Sequence, residues 1–382
     1  METDPEGDPS AQIPAGPVLA PLAVAGAAAS PSVPAAAIAA ASPVSAAARP
    51  PRVGETVGGS FDLALAASAR VRRASIYIGI LTLALAGPAA ILFLALIRDV
   101  GSDDLARLFT GEMTLRSSDP TATSLLGLAI VLGGIGVTLA FIEGQIMATA
   151  IVGGAATGRR IGLRRSLRLS RRVFWSVCIG GFLVGIVDRV VSVATMTVVG
   201  RSTGDSELAT IVTVAAAGLA TLPFGFYQAG IILGGVGAWE SVRRSVRIAR
   251  ARWRLALLVA LAGIVLGYIE LFALGAGLDL VFRVAEAAGL GIDKSVPIAT
   301  LTVVLILFCI VAVGSLIVTI AALVAAPQVF VFVKMTGYSA GLDRAMEAAG
   351  DAPPSRPRLI TWPMLAVIVL GIVTALVGLA ST

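Results

Sequence analysis

Apolar and polar positions along this 382-residue chain fall into long blocks rather than short alternations. The first unbroken apolar run is ASIYIGILTLALAGPAAILFLALI, residues 74–97, and others follow at about 124–154, 173–200, 207–238, 255–283, 298–333 and 359–380. About 20 apolar residues rising 1.5 Å each cross a hydrocarbon core of about 30 Å, so each run predicts a spanning helix. Seven spans result, six in a main group and one appended at the C-terminal end. Pro88, Pro223 and Pro327 lie inside three of them. Broken helices of the transporter kind are one reading of these prolines, and ordinary kinks are the preferred one.

The flanks have a different texture. Residues 1 to about 50 are dominated by Ala, Pro, Ser and Gly, with acids at Glu2, Asp4, Glu6 and Asp8. They lack the basic start and unbroken apolar stretch of a signal peptide and read as a disordered tail. VGETVGGSFDLALAASARVRR, residues 53–73, reads as a short amphipathic lead-in. The expected organisation is a tail over 1–52, a repeated membrane-helix domain over 53–350, and a linker with the appended transmembrane helix over 351–382. The expected fold class is an all-α polytopic transmembrane bundle.

Composition agrees with the pattern. The chain is 57% hydrophobic and 14% charged, where soluble domains are about half apolar and a quarter charged. Its net charge of +6 comes almost wholly from arginine, because Lys294 and Lys334 are the only lysines. Such a bias suggests a bacterial genome of high GC content. With no histidine, Ser-His-Asp triads and histidine metal ligands are excluded. Cys178 and Cys309 are far apart within apolar runs, so no CxxC redox or zinc motif exists and both read as packed or lipid-facing small residues. No catalytic residue, metal or cofactor is expected.

Charge between the spans gives an orientation. The segment 158–172 carries seven arginines and the segment 241–254 carries six, whereas the alternate loops hold Asp103, Asp104, Glu112, Asp119, Asp205, Glu207, Glu286 and Asp293. The positive-inside rule places the arginine segments and the N-terminus in the cytoplasm and the last residue outside, so a multi-pass protein of the bacterial plasma membrane is expected.

The two arginine segments are copies of one pattern. RRSLRLSRRVF (164–174) aligns without gaps on RRSVRIARARW (243–253), with Arg164, Arg165, Ser166, Arg168 and Arg171 falling on Arg243, Arg244, Ser245, Arg247 and Arg250. Downstream, GFLVGIVD (181–188) aligns on GIVLGYIE (263–270) after a three-residue shift. Val242, Val246, Ala249 and Trp253 recur at helical spacing, with Arg243, Arg247, Arg250 and Arg254 one position behind them. That spacing predicts a basic amphipathic helix at the inner surface, its apolar stripe in the acyl boundary and its arginines on anionic lipid phosphates. Nucleic acid is disfavoured as a partner, because both clusters are pinned beside a span. GGAATGRR (153–160) lacks the lysine followed by Ser or Thr of a phosphate loop, and no strand precedes it.

The repeat also places polar residues inside the membrane. Glu143 lies sixteen residues before Arg159, Asp188 sixteen after Arg172, Glu270 sixteen after Arg254, and Gln228 fifteen before Arg243. All four are therefore expected about 24 Å from the basic edge, in one polar layer with Arg189 as the counter-charge. A buried ion-pair network that fixes helix register is the preferred reading, and a solute or proton path is the alternative. Gly181 and Gly185, Gly230 and Gly234, and Gly263 and Gly267 form GxxxG pairs, read mostly as packing within the chain, with a homo-oligomer as the other use.

GETVGGSFDLAL before the first span, GGVGAWESVRRSVRIARARW after the fourth and GYSAGLDRAMEAA after the sixth resemble the bacterial family named for the glycerophosphoryl diester phosphodiesterase membrane domain, together with related uncharacterised six-span proteins. The resemblance covers about 53–350. It implies a membrane domain of unsettled role and no phosphodiesterase activity, because that activity belongs to a separate histidine-dependent barrel domain. The sequence departs from the family in its proline-rich tail, its GLDRAM ending and its seventh span.

Three functions are consistent with these features. The first is a non-enzymatic inner-membrane protein that organises lipid or a membrane-protein partner through its arginine helices. The second is a small-solute or proton-coupled transporter or channel lined by Glu143, Asp188, Arg189, Gln228 and Glu270. A lipid-active membrane enzyme comes third, with no convincing nucleophile beside those acids.

Overall fold

The computed structural model describes residues 51–96, 120–203, 206–287, 296–336 and 359–381, and every regular element among them is helical. In chain order these are α1 (Val53–Leu96), α2 (Pro120–Ala156), α3 (Leu163–Thr203), α4 (Ser206–Thr221), a 3-10 turn (Leu222–Phe224), α5 (Tyr227–Ile232), α6 (Ala238–Ala251), α7 (Trp253–Ala287), α8 (Val296–Thr336) and α9 (Trp362–Ser381). The tail, the acidic loop residues and the GYSAGLDRAMEAA motif named above fall outside the described residues or have undescribed side chains.

Among the described residues, five helical stretches are long and apolar enough to cross a membrane, in α1, α2, α3, α4–α5 and α8, and Trp253–Leu266 and Trp362–Gly378 are shorter apolar stretches. Surface chemistry points the same way. Along α3, Trp175, Ile179, Phe182, Ile186, Val190 and Val193 form an exposed stripe at helical spacing, and α9 exposes Leu365, Val369, Ile372, Val373 and Leu376. Water would not tolerate apolar faces of this extent, whereas lipid is their natural solvent. The chain is a multi-pass membrane protein.

The helices differ greatly in length, and this decides where polar residues lie. α9 has 20 residues, about 30 Å, which is one bilayer crossing. α1 has 44 residues, α3 and α8 have 41 each, and α2 has 37, so each over-runs a single crossing. α9 runs parallel to the C-terminal half of α1. Leu359, just before α9, accepts a hydrogen bond from Tyr77 Oη at 2.8 Å, and further along, Gly371 meets Pro88 and Gly378 meets Leu92. Val367 packs against Gly136 of α2, so the last span is seated between α1 and α2 as part of the bundle.

Beyond the level of Tyr77 the N-terminal part of α1 and the C-terminal parts of α2 and α8 continue together. Ile78, Ile146, Met147, Ile151, Val329 and Phe332 are fully buried there, joined by Leu167 from α3 and Phe226, Ile232 and Leu233 around α5. The lead-in 53–73 is therefore the first half of α1. It turns Thr56, Ser60, Leu63, Ala67, Val71 and Ala74 inward and leaves Val53, Val57, Phe61 and Leu65 exposed. Small inward residues allow close packing, as where Gly59 lies under the Phe330 ring.

α1 and α8 cross most closely at two glycines. A Cβ on Gly79 would lie 2.5 Å from Val311 O, and one on Gly314 would lie 2.9 Å from Gly79 Cα. The prolines divide into two kinds. Pro88 and Pro327 are carried inside continuous helices. Pro223 breaks its span into α4, a 3-10 turn and α5, so the expected kink is a true interruption at that one position. Proline supplies no N–H and clashes with the preceding turn, and an interruption survives only where other groups take over the freed backbone atoms.

Candidate functional site

Those groups come from the second arginine segment. Ser245 of α6 accepts a hydrogen bond from Phe226 N–H at 3.0 Å and donates to Pro223 O at 2.8 Å. One turn earlier, Ser241 donates to Tyr227 O at 2.6 Å. Both serines are almost wholly buried. They splice the broken helix and fix α6 to it.

This changes the face on which α6 rests. Its buried residues are Ser241, Val242, Ser245, Ile248 and Ala249, set against protein rather than acyl chains. Val246 is half-buried, while Trp253 begins α7 and is exposed. Arg252, at φ −142° and ψ 57°, ends α6 and turns the chain into α7, so the stripe expected to run from Val242 to Trp253 is cut before its last member.

The first copy has the same burial pattern in a different setting. Ser166, Leu167, Leu169 and Ser170 are buried, but the segment forms the opening turns of the continuous α3. Ser166 donates only to Leu163 O, at 2.9 Å, because no broken helix lies beneath it. Each copy is entered through a left-handed glycine, Gly158 at φ 71° and Gly235 at φ 62°, a conformation natural to glycine after a helix. Of the matched arginines, Arg164, Arg165, Arg243, Arg247 and Arg250 are exposed, and Arg168, Arg171 and Arg244 are half-buried. Arg244 Nε lies 3.0 Å from Glu240 Oε1. That hydrogen bond, with the neighbouring positive charge of Arg244, Arg247 and Arg243, holds the Glu240 carboxyl below its ordinary value.

Arg171 does something different. Its Nε lies 3.8 Å from Glu143 Oε1, and its Nη2 donates to Leu359 O at 2.8 Å. Leu359 O thus takes hydrogen bonds from both Arg171 and Tyr77. Glu143 is only 1% exposed, and neither of its oxygens has a hydrogen-bond partner. One node therefore ties α1, α2, α3 and the entry to α9.

Two residues away, Gln145 Oε1 accepts a hydrogen bond from Gln228 Nε2 at 2.8 Å. Gln145, Gln228, Thr149 and Gln328 contribute to a cavity of about 60 Å³ otherwise walled by apolar residues of α2 and α8. Glu143 and Gln228 are thus close in depth. Asp188 and Arg189 are not with them, for Asp188 is seventeen residues beyond Arg171 on one continuous helix, about 25 Å away along its axis. Asp188 is half-buried and Arg189 exposed, and neither makes an ion pair with a described residue. The side chain of Glu270 lies outside the described residues.

The single layer expected from equal spacing is accordingly divided. The spacing took the arginine edge as the membrane boundary. With α9 as the ruler, Glu143 lies beside the start of a crossing, and α2 continues past it for over three turns before the basic segment begins.

Aromatic residues mark the same level. All four tryptophans, Trp175, Trp239, Trp253 and Trp362, are exposed. Trp175 is one turn beyond Arg171 and Trp362 is three residues beyond Leu359, placing both beside the node. Exposed tryptophan at such a level is a common mark of a membrane–water interface. Of the glycine pairs, Gly181 touches Tyr227 while Gly185 faces open space. Cys178 and Cys309 are free and half-buried. Among the described residues, no three Cys, Asp or Glu side chains cluster as a metal site would.

Comparison with known proteins returns no match, whether with family models, curated proteins or solved structures.

Proposed function

We propose that this chain is a non-enzymatic plasma-membrane protein, with a cytoplasmic N-terminus, that organises anionic lipid or a membrane-protein partner through its two arginine segments. The observation that carries this reading is the shared geometry of the copies. Each buries a Ser-and-aliphatic face against the bundle and turns matched arginines outward, Arg164 and Arg165 in one, Arg243, Arg247 and Arg250 in the other. An exposed cation near an anionic leaflet contributes about 1 kcal/mol, so five together are a substantial headgroup surface held rigidly by α3 and α6. Kinship with the glycerophosphoryl diester phosphodiesterase membrane domain family is part of the proposal and rests on the three motifs alone.

The test is lipid retention. Native mass spectrometry of the full chain released from bilayers of mixed phosphatidylcholine and phosphatidylglycerol should show phosphatidylglycerol enriched on the wild type. The Arg243→Gln, Arg247→Gln, Arg250→Gln variant should lose that enrichment. Equal retention by both proteins would defeat the reading.

A path for protons or a small polar solute is a second reading, favoured by the glutamine-lined cavity near the depth of Glu143. It requires a Gln228→Leu variant to fold and to abolish a flux in proteoliposomes. Unchanged flux leaves the cavity a packing feature.

A further inference from the structure

A separate cavity of about 650 Å³ opens where the start of α1 meets the junction of α6 and α7. Arg52, Arg252 and Arg254 line it, together with Trp253, and no acid does. The closest acid in sequence, Glu55, is engaged through Oε2 by the Arg52 backbone N–H at 2.9 Å. None of the three guanidinium groups makes an ion pair with a described carboxylate.

The backbone explains the gathering of charge. Arg252 departs from helical geometry and redirects the chain, so that the first turn of α7 faces the first turn of α1 across the void. The first amides of any helix lack partners within it, and its N-terminus carries about half a positive charge. The negative end of α6 meets the same space and offsets one of these positive ends, so the positive character comes from the exposed side chains of Arg52, Arg252 and Arg254 around it. The Arg254 guanidinium sits 5.7 Å from the centre of the Trp253 ring, a contact that restrains it and places an apolar wall beside it. This arrangement repels itself when empty and is favourable around an anion. Planar guanidinium groups match the paired oxygens of a phosphate.

We propose that this cavity binds a phosphate-bearing anion, clamped by Arg52, Arg252 and Arg254 with Trp253 as its apolar wall. The site shares no residue with the outward arginines of the repeat, so it stands or falls apart from the lipid-surface reading. A phosphate of this kind can come from solution or from a lipid headgroup, and two probes separate these sources. The full chain in neutral maltoside micelles is titrated with sodium pyrophosphate, and in parallel with micelles doped with phosphatidylglycerol, while the thermal midpoint and the dissociation constant are measured.

The Arg52→Gln, Arg254→Gln pair should weaken binding of the effective probe by at least about tenfold, as expected for two lost charge-assisted hydrogen bonds. Arg254→Lys, which keeps the charge and loses the planar fork, should weaken it by less. Arg243→Gln with Arg247→Gln should leave pyrophosphate binding unchanged. A response to pyrophosphate assigns the site to a soluble phosphate, and a response to phosphatidylglycerol alone assigns it to a headgroup. The proposal is overturned if neither probe binds the wild type, or if the Arg52, Arg254 pair binds as the wild type does.

Discussion

Replacing Arg171 with methionine should harm the fold more than neutralising its partner, and repairing the partner should restore much of the loss. At 3.8 Å, opposite unit charges attract by about 4 kcal/mol when the effective dielectric constant is about 20. Arg171→Met removes that attraction and leaves Glu143, only 1% exposed and without a hydrogen-bond partner, as a buried lone carboxylate. Breaking a buried pair in this way costs up to about 3–5 kcal/mol, and less where the stranded carboxyl takes up a proton. The variant also gives up a hydrogen bond to Leu359 O, although Tyr77 still donates to that oxygen.

Glu143→Gln leaves Arg171 bonded to Leu359 with its side chain 22% exposed, so water can compensate and the loss should be about 1 kcal/mol. The double variant contains no stranded charge. It should exceed Arg171→Met alone by about 2 kcal/mol or more. Reversible unfolding in mixed micelles, followed by tryptophan fluorescence, measures the cycle. A double variant no more stable than Arg171→Met would refute the claim that the pair, rather than general packing, holds the node.

Three further outcomes follow from particular contacts. Gly79→Ala should destabilise by about 1–3 kcal/mol because its Cβ meets Val311 O at 2.5 Å, whereas Gly185→Ala, facing open space, should leave the unfolding midpoint unchanged. Ser245→Ala should cost about 2–3 kcal/mol, since Phe226 N–H and Pro223 O both lose a buried partner. Ser166→Ala in the other copy removes one local bond and should cost under about 1 kcal/mol in the same assay. Glu240, whose folded carboxyl is held below its ordinary value, contributes stability that is complete above the unfolded value of about 4.3. That stability disappears as pH falls through the folded value. Both side chains are more than a third exposed and water screens the pair, so Glu240→Gln should lower stability by no more than about 0.5 kcal/mol at pH 7 and by nothing at low pH.

The helical class and most spans were legible because a block of apolar residues carries its own length scale. Depth was not legible. Counting sixteen residues from an arginine edge assumes that the membrane begins there, and α1, α2 and α8 continue beyond a single crossing while packing on one another. The repeat was readable as an alignment, including Ser166 on Ser245, yet the work of Ser245 depends on the break at Pro223, which only one copy possesses. The Gly79–Gly314 crossing has no short-range signature, since its two members are more than two hundred residues apart and neither belongs to the GxxxG pairs. In the lead-in the amphipathic pattern was present: Leu63 and Val71 face the protein beside small and hydroxylated residues, while Val53, Val57, Phe61 and Leu65 lie outward with the charged residues.

The central claim, that both arginine segments lie on the cytoplasmic face, is most directly tested by cysteine labelling. With Cys178 and Cys309 replaced by alanine, Arg165→Cys and Arg247→Cys are each exposed to a membrane-impermeant maleimide in sealed vesicles of known orientation. Both positions should react only when the cytoplasmic face is outward. Reaction of the two from opposite faces, or of both only from the external face, would contradict the account.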